Sequence, residues 1–215
     1  MKVFLGITGA SGAPYAARLL EALVGADCEV GICASGSGVE VLATELYADA
    51  RLSRDEVLAR FTEGAGSRVT AYDERDWRSP YASGSARVDA YVICPCSMST
   101  VGTIASGAMQ NLIHRAASVA LKEERRLILM PRETPLSLIH LESMATLKRA
   151  GATLLFLAPG FYGGAAKADA PAELARPLSG VASERLSVGD LVDFMVSRCL
   201  DQLGLENVLA RRWGE

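Results

Sequence analysis

The sequence predicts an α/β protein, a three-layer α/β/α sandwich around a mostly parallel, doubly wound sheet. Three observations carry that prediction. Short runs rich in Val, Ile, Leu or Phe alternate with segments of helical period along the chain. These runs are apolar throughout rather than alternating, as a strand covered on both faces requires. The connections are mostly short, so each strand, helix and next strand form a crossover unit. With 215 residues, half of them apolar, the chain has material for one such domain and is short for two, so a single domain over 1–215 is expected.

The first strand is read over 2–8 and leads through Gly9-Ala10-Ser11-Gly12 into a helix over 15–24. The second strand, 29–34, feeds a helix over 37–47. Residues 49–83 are charged and mixed and read as a long connection with a helical piece at 55–61. The third strand, 90–94, precedes one long helix over 99–124, and the fourth, 126–130, precedes a helix over 135–150. Pro135 falls there in a first turn, where proline is tolerated, and Gly151 is placed as the C′ residue. A fifth strand is read over 153–158 and a last helix over 188–203, with 204–215 as a C-terminal tail. Between them, 163–187 is rich in Ala, Gly and Pro with weak hydrophobic patterning, which predicts an inserted flexible loop or lid.

Composition removes several function classes. A net charge of −3 and a pI near 5.5 provide no basic field for nucleic acid. The N-terminus enters a strand directly, without a charged leader, and no apolar run reaches roughly 18 residues, so a cytoplasmic protein without membrane association is expected. The five cysteines, Cys28, Cys33, Cys94, Cys96 and Cys199, lie mostly in apolar segments and read as reduced, buried thiols. Cys94-Pro95-Cys96 is not a C-x-x-C site, and His114 and His140 lack paired-ligand spacing, so no metal is expected. Nucleophile-elbow, Walker-type and zincin motifs are missing.

In a doubly wound sheet ligands bind beyond the carboxyl ends of the strands. After the first strand, Gly9, Ala10, Ser11 and Gly12 let backbone N–H groups at a helix start approach an anion. The register of Gly6, Gly9 and Gly12 does not match the dinucleotide fingerprint. After the second strand stands Ser35, where dinucleotide folds carry an acidic ribose ligand; Ser35 or Ser37 also suits a helix N-cap. After the third, Ser97, Met98, Ser99 and Thr100 bring three hydroxyls to a helix start, a second anion or polar-ligand site. Farther along that helix Arg115 and Lys122 share one face, as a ligand site or a solvated basic stripe. The fourth strand delivers Arg132 and Glu133, a guanidinium suited to phosphate beside a carboxyl group suited to proton transfer, or a simple surface pair. The fifth delivers Phe161 and Tyr162.

Together these segments resemble the UbiX-type flavin prenyltransferases, formerly described as aromatic-acid decarboxylases. The resemblance runs through Thr8 to Gly12, Ala82-Ser83-Gly84-Ser85, Cys94 to Ser97, Asn111 to Ala117, Leu121-Lys122-Glu123, Pro131 to Pro135, His140 to Met144, Pro159 to Tyr162, Asp190 to Phe194 and Arg212 to Glu215, nearly the whole chain in order. It implies a Rossmann-like, flavodoxin-like flavoprotein domain and a reaction that joins the dimethylallyl group of dimethylallyl phosphate to N5 and C6 of reduced FMN. The product, prenylated FMN, would pass to a UbiD-type decarboxylase. The resemblance assigns Gly9, Ala10, Ser11, Ser35, Ser97, Met98, Ser99, Thr100 and Arg132 to flavin contact, and Arg115, Lys122, Tyr162 and Arg198 to the prenyl phosphate. Ser11, Glu45, Glu133 and Trp213 fall to the catalytic group. It also implies self-association, typically as a homododecamer, and no metal.

Such residue types suit the chemistry. An allylic phosphate leaves when its growing negative charge is stabilised, and aromatic faces shield the electron-poor fragment from water. A longer link than the family's usual one joins Tyr162 to Arg198, beginning at Gly163-Gly164. The alternatives are an FMN-dependent cysteine decarboxylase, whose early histidine and P-x-M-N-x-x-M segment are missing here, and a non-catalytic carrier of FMN or prenylated FMN.

Overall fold

The computed structural model describes residues 1–159, 187–212 and 214. Tyr162, Trp213 and nearly all of the segment read as a lid lie outside the described residues. Two compact units are present, Met1–Leu157 and Ala158–Glu215.

The first unit is built on six strands, β1 (Lys2–Ile7), β2 (Glu29–Ala34), β3 (Val69–Ala71), β4 (Ala90–Cys96), β5 (Arg126–Pro131) and β6 (Thr153–Leu154). All pairings are parallel, in the order β3-β2-β1-β4-β5-β6. The chain moves outward from β1 to one side, then returns to start β4 on the other. The switch point is therefore the crevice between the carboxyl ends of β1 and β4. Helices α1 (Ala13–Gly25), α2 (Gly36–Tyr47), α3 (Arg54–Phe61), α4 (Met98–Ala105), α5 (Leu112–Lys122) and α6 (Leu138–Arg149) complete the unit. The central strands are buried almost throughout. One core cluster joins Phe4, Tyr91, Ile93, Leu127 and Leu129 of the sheet to Val101, Leu112, Ile113 and Val119 of α4 and α5.

Three expectations are corrected. The helix read over 99–124 is two helices: α4 ends at Ala105, and α5 starts under Asn111, whose side chain accepts from the His114 N–H at 3.0 Å. The apolar rhythm runs across the break, which is marked by Gly107 at φ 77° just past α4 and by the Asn111 cap. Pro135 is not in a first turn; Ser137 caps α6 by accepting the His140 N–H at 3.2 Å, while His140 Nδ1 accepts the Ser137 N–H. A sixth strand, β3, lies within the connection 49–83; three residues with partly exposed side chains leave little hydrophobic signal.

In the second unit, α7 (Val188–Leu203) begins under Ser187 and ends at Gly204, which adopts φ 74°. All five cysteines are buried and none forms a disulfide. Burial pushes the thiols of Cys33 and Cys199 up to about 12 and that of Cys96 upward as well, so none of the three supplies a thiolate at neutral pH. Among the described residues no helix is long and apolar enough to cross a membrane, and no cluster of His, Cys, Asp and Glu is arranged to hold a metal ion.

Candidate functional site at the β1–β4 switch point

Thr8 ties the two lips of the crevice together. It is 2 % exposed at the end of β1. Its N–H and hydroxyl donate to Pro95 O at 3.1 and 2.9 Å, and its Oγ1 accepts the Ser97 N–H at 2.7 Å. One side chain thus sets the spacing between the loop after β1 and the loop after β4. Sequence reasoning did not single it out; the signal available was a polar residue closing an apolar strand, whose cross-strand partners no local pattern reveals.

On the β1 side, Gly9 lies against the first turn of α2. A Cβ there would stand 2.5 Å from Ser37 Oγ, a distance that real side chains do not tolerate. That close approach brings Ser35 and Ser37 to the loop, with Ser35 Oγ capping α2 through the Gly38 N–H at 3.0 Å and its hydroxyl 3.3 Å from that of Ser37. Ser11 is exposed at the tip, and its carbonyl accepts Arg132 Nε at 3.0 Å. Arg132, from the end of β5, therefore reaches the loop rather than pairing with Glu133. The Glu133 carboxylate accepts the N–H of Thr134 at 3.1 Å.

Glu45 changes the reading of this loop. From the last turn of α2 its Oε2 accepts the N–H groups of Gly12 and Ala13 at 2.9 and 2.8 Å. The first N–H donors of α1 are satisfied by a carboxylate of the chain itself, so the expected anion cradle is already filled by an anion. On the β4 side the arrangement differs. Ser97 caps α4 by accepting the Thr100 N–H at 3.3 Å, and the two hydroxyls are 3.1 Å apart. The N–H groups of Met98 and Ser99, in the first turn, have no acceptor among the described residues. Ser99 is exposed; Met98 and Thr100 are buried.

Arg115 and Lys122 share α5 but stand at different ends of it. Arg115 Nε donates to Ala82 O at 2.9 Å, and Lys122 forms an ion pair with Glu123. Both side chains of that pair lie over Gly84, where any Cβ would overlap them, and Arg125 Nη2 donates to Gly84 O at 2.6 Å. The strip 82–85 is thereby held against the end of α5, with Ser83 and Ser85 hydroxyls 2.9 Å apart. Lys122 ends α5 just before β5 begins, at the amino edge of the sheet. The crevice lies at the carboxyl edge, and six residues of strand separate the two edges by about 20 Å. Arg198, in the second unit, donates to Asp201 at 2.8 Å.

A doubly wound parallel sheet with hydroxyl-rich helix starts at its switch point defines a protein built to bind a polar or phosphorylated ligand there. A family model described as Flavoprotein matches residues 1–200. The flavin prenyltransferase UbiX of Pseudomonas aeruginosa is 42% identical over 217 residues, an alignment covering 100% of this chain and 94% of that protein. The crystal structure of a dodecameric FMN-dependent UbiX-like decarboxylase from Escherichia coli O157:H7 superimposes with a TM-score of 0.78 at 36% identity and 100% coverage of both chains. That of AnUbiX (PadA1) in complex with FMN and dimethylallyl pyrophosphate also gives 0.78, at 33% identity, covering 100% of this chain and 97% of that one. The chain belongs to the UbiX flavin prenyltransferase family.

Proposed function

We infer that the protein is a flavin prenyltransferase that transfers the dimethylallyl group of dimethylallyl phosphate to reduced FMN, with prenylated FMN as product. The observation that carries the reading is the full-length similarity to flavin prenyltransferases, over a crevice whose β4 lip keeps donors for a phosphorylated ligand. With the α1 donors held by Glu45, the FMN phosphate falls to the start of α4, where Ser97, Met98, Ser99 and Thr100 offer hydroxyls and backbone N–H groups. Gly9, Ala10, Ser11, Ser35 and Arg132 then border the rest of the flavin. Reduced FMN supplies the nucleophilic N5 and C6 to which the prenyl group is joined.

The chain's own contribution is to hold the second substrate, stabilise the departing phosphate and move protons. Arg115, Lys122, Tyr162 and Arg198 are assigned to the prenyl phosphate, where positive charge and donors lower the barrier to its departure. Trp213 and Tyr162 are assigned to shield the allylic fragment. Glu45, Glu133 and Ser11 are assigned to proton handling at the flavin side.

Within one chain Lys122 is about 20 Å from the crevice, a strand's length away. Self-association, as a homododecamer, supplies the missing half of the site from a neighbouring copy. Leu138, Ile139 and Leu141 at the start of α6, 69, 73 and 48 % exposed, form an apolar surface suited to such an interface. We assign the product to a UbiD-type decarboxylase and, from the five thiols, the protein to the cytoplasm.

Anaerobic incubation with reduced FMN and dimethylallyl phosphate, followed by mass spectrometry of the flavin, tests the reading. A flavin heavier by one dimethylallyl unit is the expected result. Tight FMN binding with unchanged mass would instead identify a carrier.

A further inference from the structure

Residues 49–83, read from sequence as a charged connection, bring an ion pair to the carboxyl end of β2. Arg54 is the first residue of α3. Ser53 caps that helix by accepting the Glu56 N–H at 3.3 Å, and Glu56 Oε2 accepts the Ser53 N–H at 2.8 Å, so the backbone from which Arg54 projects is pinned. The guanidinium spans two acceptors: Nη1 donates to Ala34 O at 2.8 Å, and Nη2 to Glu74 Oε1 at 3.1 Å. The two side chains are 26 and 24 % exposed, whereas Glu21, paired with Arg18 on α1, is 70 % exposed. The Arg54–Glu74 pair is packed into the fold, unlike a solvated surface pair.

Ala34 is the last residue of β2, and its carbonyl belongs to the peptide that joins it to Ser35. The N–H of that same peptide donates to Ile7 O, at the end of β1, at 2.9 Å. One peptide unit is therefore clamped from both sides, by β1 and by Arg54, where the chain turns from strand to helix. Ser35 follows directly. Its Oγ caps α2 and stands 3.3 Å from that of Ser37, which lies against Gly9. Glu74 extends the clamp, since its carbonyl accepts the N–H of Leu112, the first residue of α5, at 2.7 Å. A forked guanidinium suits this bridge: two nitrogens in one plane meet two acceptors that a single ammonium cannot hold in the same directions.

We propose that Arg54 is a positioning residue for flavin binding: steadied by Glu74, it holds the Ala34–Ser35 peptide so that the Ser35 hydroxyl is presented beside the loop Gly9 to Gly12. That Ser35 meets the flavin rests on the function proposed above; the clamp on its peptide rests on the geometry alone. Arg54 and Glu74 act through Ser35.

The experiment is a double-mutant cycle on the full-length protein, with FMN affinity read by fluorescence titration and Tm recorded for every variant. Arg54→Gln and Ser35→Ala are each expected to weaken FMN about fivefold, the size of one lost hydrogen bond. The double variant should also lose about fivefold rather than about twenty-five-fold, because a hydroxyl already removed cannot be misplaced. Arg54→Lys should recover part of the loss, and Glu74→Gln should weaken FMN about twofold. In turnover, Arg54→Gln should raise KM for reduced FMN with little change in kcat, the pattern of lost ground-state binding. A lowered Tm with wild-type FMN affinity in Arg54→Gln would make the pair structural only and overturn the proposal. Additive losses in the cycle would overturn it too, since Arg54 would then act elsewhere than through Ser35. If Arg54→Gln does not fold, Glu74→Gln with Ser35→Ala forms the deciding cycle. Wild-type FMN affinity in Ser35→Ala would defeat the proposal while leaving prenyl transfer intact. Absence of FMN binding by wild type would defeat the function itself.

Discussion

Two helix starts face each other across the switch point, and their sequences read alike: a strand, a run of small or hydroxylated residues, then a helix. At α1 the donors of Gly12 and Ala13 are closed by Glu45; at α4 those of Met98 and Ser99 have no acceptor among the described residues and lie beside the hydroxyls of Ser97 and Thr100. The difference teaches that a loop motif specifies donors but not their acceptor. A residue more than thirty positions away, carried by a neighbouring helix, decides whether the donors serve a ligand or the fold.

Removing the carboxylate should break the contrast most severely. Glu45→Ala frees two N–H groups at α1, and we expect turnover to fall about hundredfold, in the range of a lost acid–base group. Inorganic phosphate should then raise the Tm of the variant more than that of wild type, because a second helix start has become available to an anion. Equal phosphate effects on both proteins would show that Glu45 does not close α1.

Thr8→Val comes next, since it removes the strap between the lips while keeping the side chain's shape. Ser97 loses the acceptor for its N–H and Pro95 O loses one donor in a buried setting, at a cost of about 1–3 kcal/mol. Urea unfolding measures the loss. FMN affinity should fall with it, because the α4 lip is no longer held to the loop after β1.

Ser97→Ala sharpens the comparison at the open start. The lost cap costs about 1 kcal/mol of stability. FMN binding, followed by fluorescence, should weaken about fivefold while riboflavin binding is unchanged, given that phosphate contacts of this kind are worth about 1 kcal/mol. Equal weakening of both flavins would move the phosphate away from α4.

The smallest effect concerns a third helix start, α5, closed by Asn111. His114 in its first turn is 6 % exposed, its Nδ1 has no partner among the described residues, and burial holds its pKa below the ordinary value. The unfolded chain binds the proton more readily, so this contribution to stability is present above the unfolded pKa of about 6.5 and is lost as pH falls towards the folded value. Tm should therefore decline from pH 7.5 to 5.5, and His114→Gln should flatten that decline.

Much of the scaffold was legible beforehand. The Val-, Ile- and Leu-rich runs mark the central strands because both faces are buried, and α7 follows its periodic stripe from cap to cap. The strand β3 escaped because an edge strand with exposed side chains resembles a loop. The break between α4 and α5 escaped because the apolar spacing continues through it. At the site, the residues at the strand ends were readable as polar groups in an apolar context. Their partners were not: Glu45 with Gly12, Arg132 with Ser11 and Thr8 with Pro95 all join distant segments.

By itself the sequence determined the layered α/β architecture, the positions of the hydroxyl-rich helix starts and the family, because burial periodicity and motif order are local properties. Only the tertiary structure decided that Glu45 closes α1 while the first-turn N–H groups of α4 find no acceptor among the described residues, that Lys122 lies at the edge of the sheet opposite the crevice, and that Asp201 joins Arg198 to the tail. Each of these depends on which element packs beside which: the residue fixes whether a group donates or accepts, and the packing decides which partner it meets.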